Sequence, residues 1–382
     1  MLASPSPDLV GSAWQNVLSW LPPNLDAMAK DAFGFRRRGL IQAAADVLRL
    51  GLAYSVLDFS LRSSATWLVT HGLGDISDVA VLGRLRRAQP FFAQVLGSLL
   101  TTRIQFPSDN GLKYRVRLID ATCVSQPGSK GADWRLHASY DVARGVIDNI
   151  ELTDGTGGEN LSRAAACPGD LIVGDRGYAH ASRMLELLAE NIHFLVRIGH
   201  SAVPLVDARG AVFDPVAHAS RVLARLGPEP RVEETTVFLR DDVNRQYPLR
   251  LLIVRKPDDA ARTDRVKITR EVGRKGKQPM QRTLDAAAYA FLLTSVPAGD
   301  ASAELLADLY RVRWQVELNF KRWKSIFDLD RLRADDPDLV RAYIYAKLIA
   351  AALSDTITRG ARVFSPWGVA PLRFRLAHRR LG

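Results

Sequence analysis

Residues 113–122, with the sequence KYRVRLIDAT, mark the point at which the chain changes from helical periodicity to strand periodicity. Apolar and charged side chains alternate here with the two-residue period of a β-strand, and the strand runs into the carboxylate of Asp120. Residues 134–141 and 146–152 have the same character, so the three segments predict an antiparallel meander. An acid that closes a strand stands at the rim of a sheet, where a divalent cation and a phosphate can both reach it.

A second predicted strand, which is apolar throughout, also ends in an acidic residue. Residues 171–175, LIVGD, form an apolar run that ends in Asp175 and is typical of a buried parallel strand. With short helices on either side and a fifth strand at residues 194–198, the predicted order is β-β-β-α-β-α-β. This order resembles the ribonuclease-H-like fold, in which the first and fourth strands are neighbours, and it places Asp120 beside Asp175. Two adjacent carboxylates favour a cation between them, although a glycosidase-type acid and base pair would also use two carboxylates.

A predicted helix supplies the third acid. The segment that begins at Ala301 has a core stripe at helical spacing, and Glu317 lies on the face beside that stripe. Offsets of three, four and seven residues place Tyr310, Arg313 and Lys324 on the same face. One acid is therefore surrounded by two cations and a phenol, which a glycosidase would not need.

Composition limits the class of protein and of partner. The 382 residues are enough for two or three cores, and the 47% hydrophobic content argues against extensive disorder. The net charge of +11, from 52 basic and 41 acidic residues, favours a polyanionic partner. Two cysteines exclude a disulfide framework or a zinc cluster and fit a reducing compartment. The N-terminus lacks the pattern of a signal peptide, so we expect a soluble, cytoplasmic protein.

The chain before the first strand predicts an N-terminal helical domain, residues 1–108. A helix, a glycine-containing turn and a second helix that carries Arg84, Arg86 and Arg87 could present that helix to DNA. The alternative is a helical bundle whose arginines face water.

Later boundaries divide the predicted catalytic core in two. Residues 109–198 are its first part and residues 290–360 its second, separated at residues 199–289 by a β-rich insertion subdomain. A basic loop in the insertion, residues 270–277, could contact a phosphate backbone or could be a solvated mobile loop. Residues 361–382 form a basic tail that could bind the DNA backbone, with Arg373, Arg375, Arg379 and Arg380.

Three motifs together carry a family resemblance. They are Asp120-Ala121-Thr122, the GDRGY segment at residues 174–178, and Tyr310-x2-Arg313-x3-Glu317-x6-Lys324. In residue type and spacing they resemble the DDE transposases of bacterial insertion sequences, in the subgroup defined by the Tyr, Arg, Glu, Lys signature. The resemblance implies an α/β protein: a ribonuclease-H-like core, with a mixed five-stranded sheet and helices, a β-rich insertion and an N-terminal all-helical domain.

The resemblance also implies chemistry and partners. Asp120, Asp175 and Glu317 would be the catalytic residues and would hold two Mg2+ ions, for which Mn2+ could substitute, for in-line attack on a phosphodiester. The reaction would be cleavage at terminal inverted repeats and strand transfer into target DNA. The partners would be double-stranded DNA and a second copy in a synaptic homodimer, and the protein would associate with the nucleoid. The residues expected to contact DNA are Tyr310, Arg313, Lys324, Lys321, Arg322 and Arg176.

The aromatic residue that some members of the family use for base stacking does not align directly with an aromatic residue of this sequence. Members that form a DNA hairpin stack an aromatic residue on a flipped base, at a position where the nearest alignment places Ala290. Tyr289 or Phe291 could substitute, because any aromatic face can stack on a base, and either could instead be a core strand residue.

Two alternatives to a transposase stay open at this point. One is a DNA-binding protein derived from such an element that no longer transposes, which the intact acids argue against. The other is a nuclease without strand transfer, which would use the same site.

Overall fold

The computed structural model describes residues 14–35, 41–101, 112–129, 131–223 and 232–363. The four arginines of the predicted basic tail lie outside these ranges.

The described chain forms helices and strands that follow the predicted change of period. The helices are α1 (Leu25–Phe33), α2 (Ala44–Val56), α3 (Leu61–Thr70), α4 (Asp78–Thr101), α5 (Ala181–Ala189), α6 (Pro215–Leu223), α7 (Asp258–Gly273), α8 (Gln281–Ala286), α9 (Ala303–Val312), α10 (Trp314–Phe327) and α11 (Pro337–Val363). The strands are β1 (Arg115–Val124), β2 (Trp134–Asp141), β3 (Val146–Asp154), β4 (Asp170–Gly174), β5 (His193–Ile198), β6 (Leu205–Val206), β7 (Val232–Arg240), β8 (Gln246–Arg255) and β9 (Tyr289–Thr294).

The strands form one mixed sheet in the order β3-β2-β1-β4-β5-β9-β8-β7-β6. β1, β2 and β3 are antiparallel, as the predicted meander requires, whereas β1 and β4 are parallel, as are β4 and β5. The expectation that the first and fourth strands are neighbours is therefore confirmed. The carboxyl ends of β4 and β5 and the second half of β1 meet at one edge of the sheet. Asp175 directly follows β4, whereas Asp120 lies within β1, which continues to Val124 by pairing with β2, so the prediction that Asp120 closes its strand is wrong.

The sheet is larger than the five strands predicted for the core. Beyond β5 it continues through β9 into β8, β7 and β6, and these last three belong to the predicted insertion. β8 pairs with β9 along six registered positions, from Arg250 opposite Thr294 to Arg255 opposite Tyr289. The predicted five-stranded sheet is thus wrong in size, because main-chain pairing with β9 extends the core sheet into the insertion.

The insertion is also more helical than predicted. It contains α6, α7 and α8, and residues 270–273, which were predicted to be part of a basic loop, form the last turn of α7. Helix α7 buries only Ala261, so the apolar periodicity that identifies a packed helix is missing from its sequence.

Helices cover both faces of the sheet around two apolar clusters. On one face α4, α9, α10 and α11 pack over the interior that includes Leu118 and Val173. On the other face α5 and α6 pack over Ile119, Ile172 and their neighbours. Adjacent residues of one strand thus point to opposite layers, as the pleat requires.

The N-terminal helices and α11 form one helical layer. α11 packs along α4 and α2, and the rings of Tyr54 and Tyr343 meet edge to face with their centroids 5.9 Å apart. Helix α4 continues through Pro90, where the sequence predicts a break between two helices. Proline removes one backbone hydrogen bond, and the apolar contacts of Phe91 and Phe92 on this buried helix offset that loss.

The predicted helix that carries Glu317 is interrupted at Arg313, which joins α9 to α10. The amide of Arg313 donates to the carbonyl of Tyr310, 3.1 Å away, so the turn tightens from the i−4 to the i−3 hydrogen-bond pattern. The prediction of one uninterrupted helix is therefore wrong at the residue that proves central to the site.

A buried lysine fixes the end of this helix. Lys347 on α11 is 2% exposed, and its Nζ donates to the carbonyl of Asp328, 2.8 Å away. Asp328 is the left-handed C-cap of α10, and Lys347 Nζ also lies 4.3 Å from the ring centroid of Tyr343. Burial lowers the pKa of Lys347 to about 8, against the opposing effect of nearby acids. The C-terminal end of α10 is therefore held by a cation that is costly to keep charged.

This cost predicts a pH dependence of stability. Between about pH 8 and the pKa near 10.5 in the unfolded chain, the unfolded state binds the Lys347 proton and the folded state does not. Stability contributed at this residue should therefore rise with pH. We expect the difference in unfolding free energy, wild type minus Lys347→Met, to be about 2 kcal/mol more positive at pH 10 than at pH 7. Urea unfolding of both proteins at both pH values measures it, and a constant or shrinking difference would contradict it.

No helix of the described ranges is long and apolar enough to cross a membrane.

Candidate active site

Two of the three predicted acids stand at the same edge of the sheet. The last registered pair of β1 and β4 is Leu118 opposite Val173, and Asp120 and Asp175 each lie two residues further along. Glu317 approaches this edge from the first turn of α10. The order of the strands and the position of the helix therefore bring together acids that are up to 197 positions apart in the chain, as their numbers show.

Arg313 lies between the three carboxylates. Its Nη2 is 2.6 Å from Oε1 of Glu317 and 3.7 Å from Oδ2 of Asp175, and its Nη1 is 3.5 Å from Oδ2 of Asp120. The Arg313 side chain is 13% exposed, and its Nε is buried without a hydrogen-bond partner among the described residues. One guanidinium therefore neutralises part of the charge of all three acids at once.

The two strand acids are not equivalent. Burial raises the pKa of Asp120 to about 6, and the charges of Glu317 and Asp175 act in the same direction. Burial would also raise the pKa of Asp175, but the charge of Arg313 and the hydrogen bond from Tyr310 hold it below its usual value. Of the two aspartates, Asp120 is therefore the one whose charged form is disfavoured.

Tyr310 completes this arrangement from the last turn of α9. Its hydroxyl donates to Oδ1 of Asp175 over 3.0 Å, and burial together with that carboxylate raises the pKa of Tyr310 to about 12. The phenol stays protonated at neutral pH and can serve only as a donor to Asp175. Lys324, on α10, donates to the carbonyl of Cys123 on β1 at 3.3 Å.

The remaining predicted contacts lie at the margin of the site. Lys321 is exposed, and Arg322 faces α11, where its Nη1 is 3.5 Å from Oδ1 of Asp355. Arg176 is exposed in the 3-10 turn that directly follows Asp175. The structure therefore brings Tyr310 and Arg313 to the acids, while Arg322 is turned to α11 and Lys321 and Arg176 are exposed.

The two candidate stacking residues differ in accessibility. Phe291 is 2% exposed and belongs to the apolar cluster under the sheet, so it is a core residue. Tyr289 is partly exposed at the start of β9, with its ring centroid 6.0 Å from that of Phe291. Of the pair, Tyr289 is the one that can offer part of a ring to a base.

The side chains of the three acids are of the chemical type that binds a hard divalent cation. Carboxylate oxygens are the ligands that Mg2+ prefers, and a cation would favour the charged form of Asp120, whose pKa burial raises. Across the described ranges, no three histidine, cysteine or acidic side chains are already arranged as a metal site. The donors therefore fit, provided that Arg313 leaves the space between them.

Sequence reasoning did not identify two further cations near this edge. Arg197 lies on β5, and its charge acts on both Asp175 and Asp264 of α7. Lys256, just after β8, donates to Oδ2 of Asp264 at 2.6 Å and to the carbonyl of Ala287 at 3.1 Å. Only the pairing of β5 with β9 and of β9 with β8 brings them near, and the local pattern of neither residue indicates it.

Comparison with protein families gives one match that covers most of the chain. The model of the transposase DDE domain matches residues 111–353. These residues include all three acids, the strands that position two of them and the helices α9 and α10.

Individual proteins of similar sequence agree with this match. The putative transposase InsL for insertion sequence element IS186A of Escherichia coli (strain K12) is 36% identical over 361 residues, which cover 92% of this chain and 96% of that protein. The transposase for insertion sequence element IS421 of Escherichia coli is 36% identical over 362 residues, with the same coverage. The transposase for insertion sequence element IS231F of Bacillus thuringiensis subsp. israelensis is 24% identical over 266 residues, 63% of this chain and 55% of that protein.

Proposed function

The chain belongs to the DDE transposase family of insertion sequences, and on this premise we propose that it cuts DNA at the terminal inverted repeats of its own element and joins the ends to target DNA. Asp120, Asp175 and Glu317 are the catalytic acids of this proposal. Their scaffold is a ribonuclease-H-like core, for which the sheet order β3-β2-β1-β4-β5 is the supporting observation.

The observation that carries the proposal is the contact of one guanidinium with all three acids. A side chain can reach three carboxylates from three elements only if their oxygens already surround one small space. Such a space, open to a cation and lined by hard oxygen ligands, is what metal-assisted phosphoryl transfer requires.

Divalent cations supply charge neutralisation at the attacking and leaving oxygens when they are bound. Asp120, Asp175 and Glu317 would hold two Mg2+ ions, with Mn2+ as a substitute. The parallel pairing of β1 with β4 keeps the two aspartates on adjacent strands, while α10 carries the glutamate. Because Lys347 holds the far end of α10, the position of Glu317 is set at both ends of its helix.

Arg313 has two binding partners in this account. Without metal it pairs with the acids; with metal and DNA it turns to the phosphate next to the cut, where its planar fork can bind two oxygens. Tyr310 keeps its hydrogen bond to Asp175 and presents its ring edge to the same phosphate. Lys324, Lys321, Arg322 and Arg176 extend the cationic margin along the DNA.

Assembly follows from the reaction proposed. Two ends must meet before they are joined to one target, so we propose a homodimer in which each copy holds one end. Its substrate is chromosomal DNA, which would place the working complex at the nucleoid. Retention of all three acids favours this enzyme over a binding protein that no longer cuts.

Cleavage of DNA that carries the repeats flanking this gene tests the proposal. With Mg2+ we expect strand cuts at the repeat ends and, with added target, joined products; with EDTA we expect binding without cuts. Cuts without joined products would assign the chain to a nuclease. Binding with no cuts in either Mg2+ or Mn2+ would overturn the enzymatic function.

A further inference from the structure

Helix α7 is an exposed element, with four basic and four acidic residues, that the fold does not need for its core. It has 16 residues and buries only Ala261. At 100° per residue, its inner side consists of Ala261, Arg265, Ile268 and Val272, and Nε of Arg265 donates to the carbonyl of Leu284 on α8. One side of the helix therefore contacts the rest of the protein, and the opposite side is exposed.

The outer side of α7 carries three arginines, with the exposed residues Asp259 and Val266 among them. Arg262, Arg270 and Arg274 fall within about a third of the helix circumference, and all three are exposed. The chain then turns at Gly276, with Lys275 and Lys277 exposed on either side. We call these five residues the α7 cationic face.

The acids of α7 offset this face only in part. Asp258 and Asp259 lie in the first turn, where Asp259 is the acid that falls among the three arginines. Asp264 points away to Lys256, at 2.6 Å, and Glu271 falls on the flank of the helix. The ion pairs of the described insertion residues, Arg250–Glu234, Lys256–Asp264 and Arg282–Asp214, involve none of the five residues of the face. A polyanion is the partner that such a surface fits.

The pairing of the strands determines where α7 lies relative to the predicted acids. β5 runs parallel to β4, and the end of β5 lies beside the start of β9, with Ile198 opposite Phe291. The start of β9 is paired with the end of β8, from which α7 follows directly. The α7–α8 hairpin therefore leaves the same sheet edge at which Asp120 and Asp175 stand.

The signature cation Lys324 is on the other side of the acids. It contacts Cys123 on β1, whose outer neighbour is β2, whereas α7 lies beyond β5 and β9. A strand that passes through the site must continue in both directions from the cut. One direction leads toward Lys324 and the other toward α7.

We propose that the α7 cationic face binds the phosphate backbone of the duplex on the outer side of the cut, the donor DNA that flanks the element. This inference rests on the proposed function and adds a surface and a partner to it. A helix of 16 residues is about 24 Å long, which matches roughly 7 base pairs at 3.4 Å each. Contact with phosphates alone would make the surface indifferent to the sequence of the flank.

The test compares end DNA with 2 and with 12 base pairs of flank. For the wild type we expect the longer flank to tighten binding by about 10-fold or more at low salt. The triple variant Arg262→Gln, Arg270→Gln, Arg274→Gln should lose that gain, and its salt slope on the long substrate should fall by roughly 2 to 3. On the short substrate its affinity and its Mg2+-dependent cleavage should match those of the wild type.

A matched control removes three exposed arginines elsewhere. The variant Arg183→Gln, Arg209→Gln, Arg221→Gln has the same net charge and should keep the gain from the flank. The proposal is overturned if the α7 variant keeps the gain, if it weakens both substrates equally, or if the wild type shows no gain. In each of these cases, intact cleavage by the wild type would leave the proposed function standing.

Discussion

Alanine at Asp120, Asp175 or Glu317 should abolish end cleavage, lowering its rate by about 1000-fold or more, equivalent to roughly 4 kcal/mol of transition-state stabilisation. Each acid contributes a carboxylate to the space that Arg313 shares, so on the proposed mechanism loss of one would leave too few ligands for the ions that would neutralise the transferring phosphoryl group. Gel assays of strand cuts in Mg2+ measure the rate. Binding to end DNA should stay within a few-fold of the wild type.

The matched control for this series is Asp308→Ala. Asp308 is a carboxylate on α9 that pairs with Arg311 near the surface and contacts none of the three acids. We expect it to cut normally. Any one of the three alanine variants that still nicks DNA in an Mg2+-dependent way would remove its residue from the site.

Replacement of Arg313 by glutamine should make the fold dependent on metal. The substitution leaves three acids around one space without their cation, and because Glu317 and Asp175 are partly exposed we expect a loss of about 2 kcal/mol in EDTA. Mg2+ should restore most of that stability in Arg313→Gln and should stabilise the wild type much less, because Arg313 competes with it. Thermal melting with and without Mg2+ measures both effects on stability. Cleavage should also fall, because glutamine cannot bind two phosphate oxygens as the guanidinium of Arg313 can.

Arg311→Gln is the control for this second prediction. Arg311 is two residues away, 71% exposed and paired with Asp308, so its loss should change neither stability nor the response to Mg2+. An Arg313→Gln protein that melts like the wild type in both conditions would show that the guanidinium does not occupy the metal space.

The acids and their strands were predictable because their signals are local. The two-residue period of β1 and the apolar run of β4 predicted the strands, although β1 continues past Asp120 to Val124 because it also pairs with β2. The rule that the first and fourth strands are neighbours then predicted the meeting of Asp120 and Asp175. Helical offsets placed Tyr310, Arg313 and Glu317 together, although the helix breaks at the middle residue.

The size of the sheet was not predictable in the same way. β8 and β9 are separated in sequence by α7 and α8, and nothing in either strand states which edge it will pair with. An inserted hairpin can pair within itself or extend the core sheet with the same alternation of side chains. The choice between these two arrangements is made by the backbone pairing of β8 with β9, which includes Arg255 opposite Tyr289.

The contacts of Arg313 and the helical structure of α7 are two further features that could not be predicted from the sequence. Helical geometry gives the face on which Arg313 lies, but whether its charge meets phosphate or carboxylate depends on how closely β1, β4 and α10 approach. Helix α7 was taken in part for a loop because it packs through Ala261 and a few half-buried side chains. A helix that buries so little leaves no apolar period to recognise.

The most direct test of the shared metal site is a count of bound Mn2+ by electron paramagnetic resonance, on the protein assembled with cleaved end DNA. We predict two tightly bound ions in the wild type and the loss of at least one in each of Asp120→Ala, Asp175→Ala and Glu317→Ala, with Asp308→Ala unchanged. Two ions retained by all three acid variants would contradict the account.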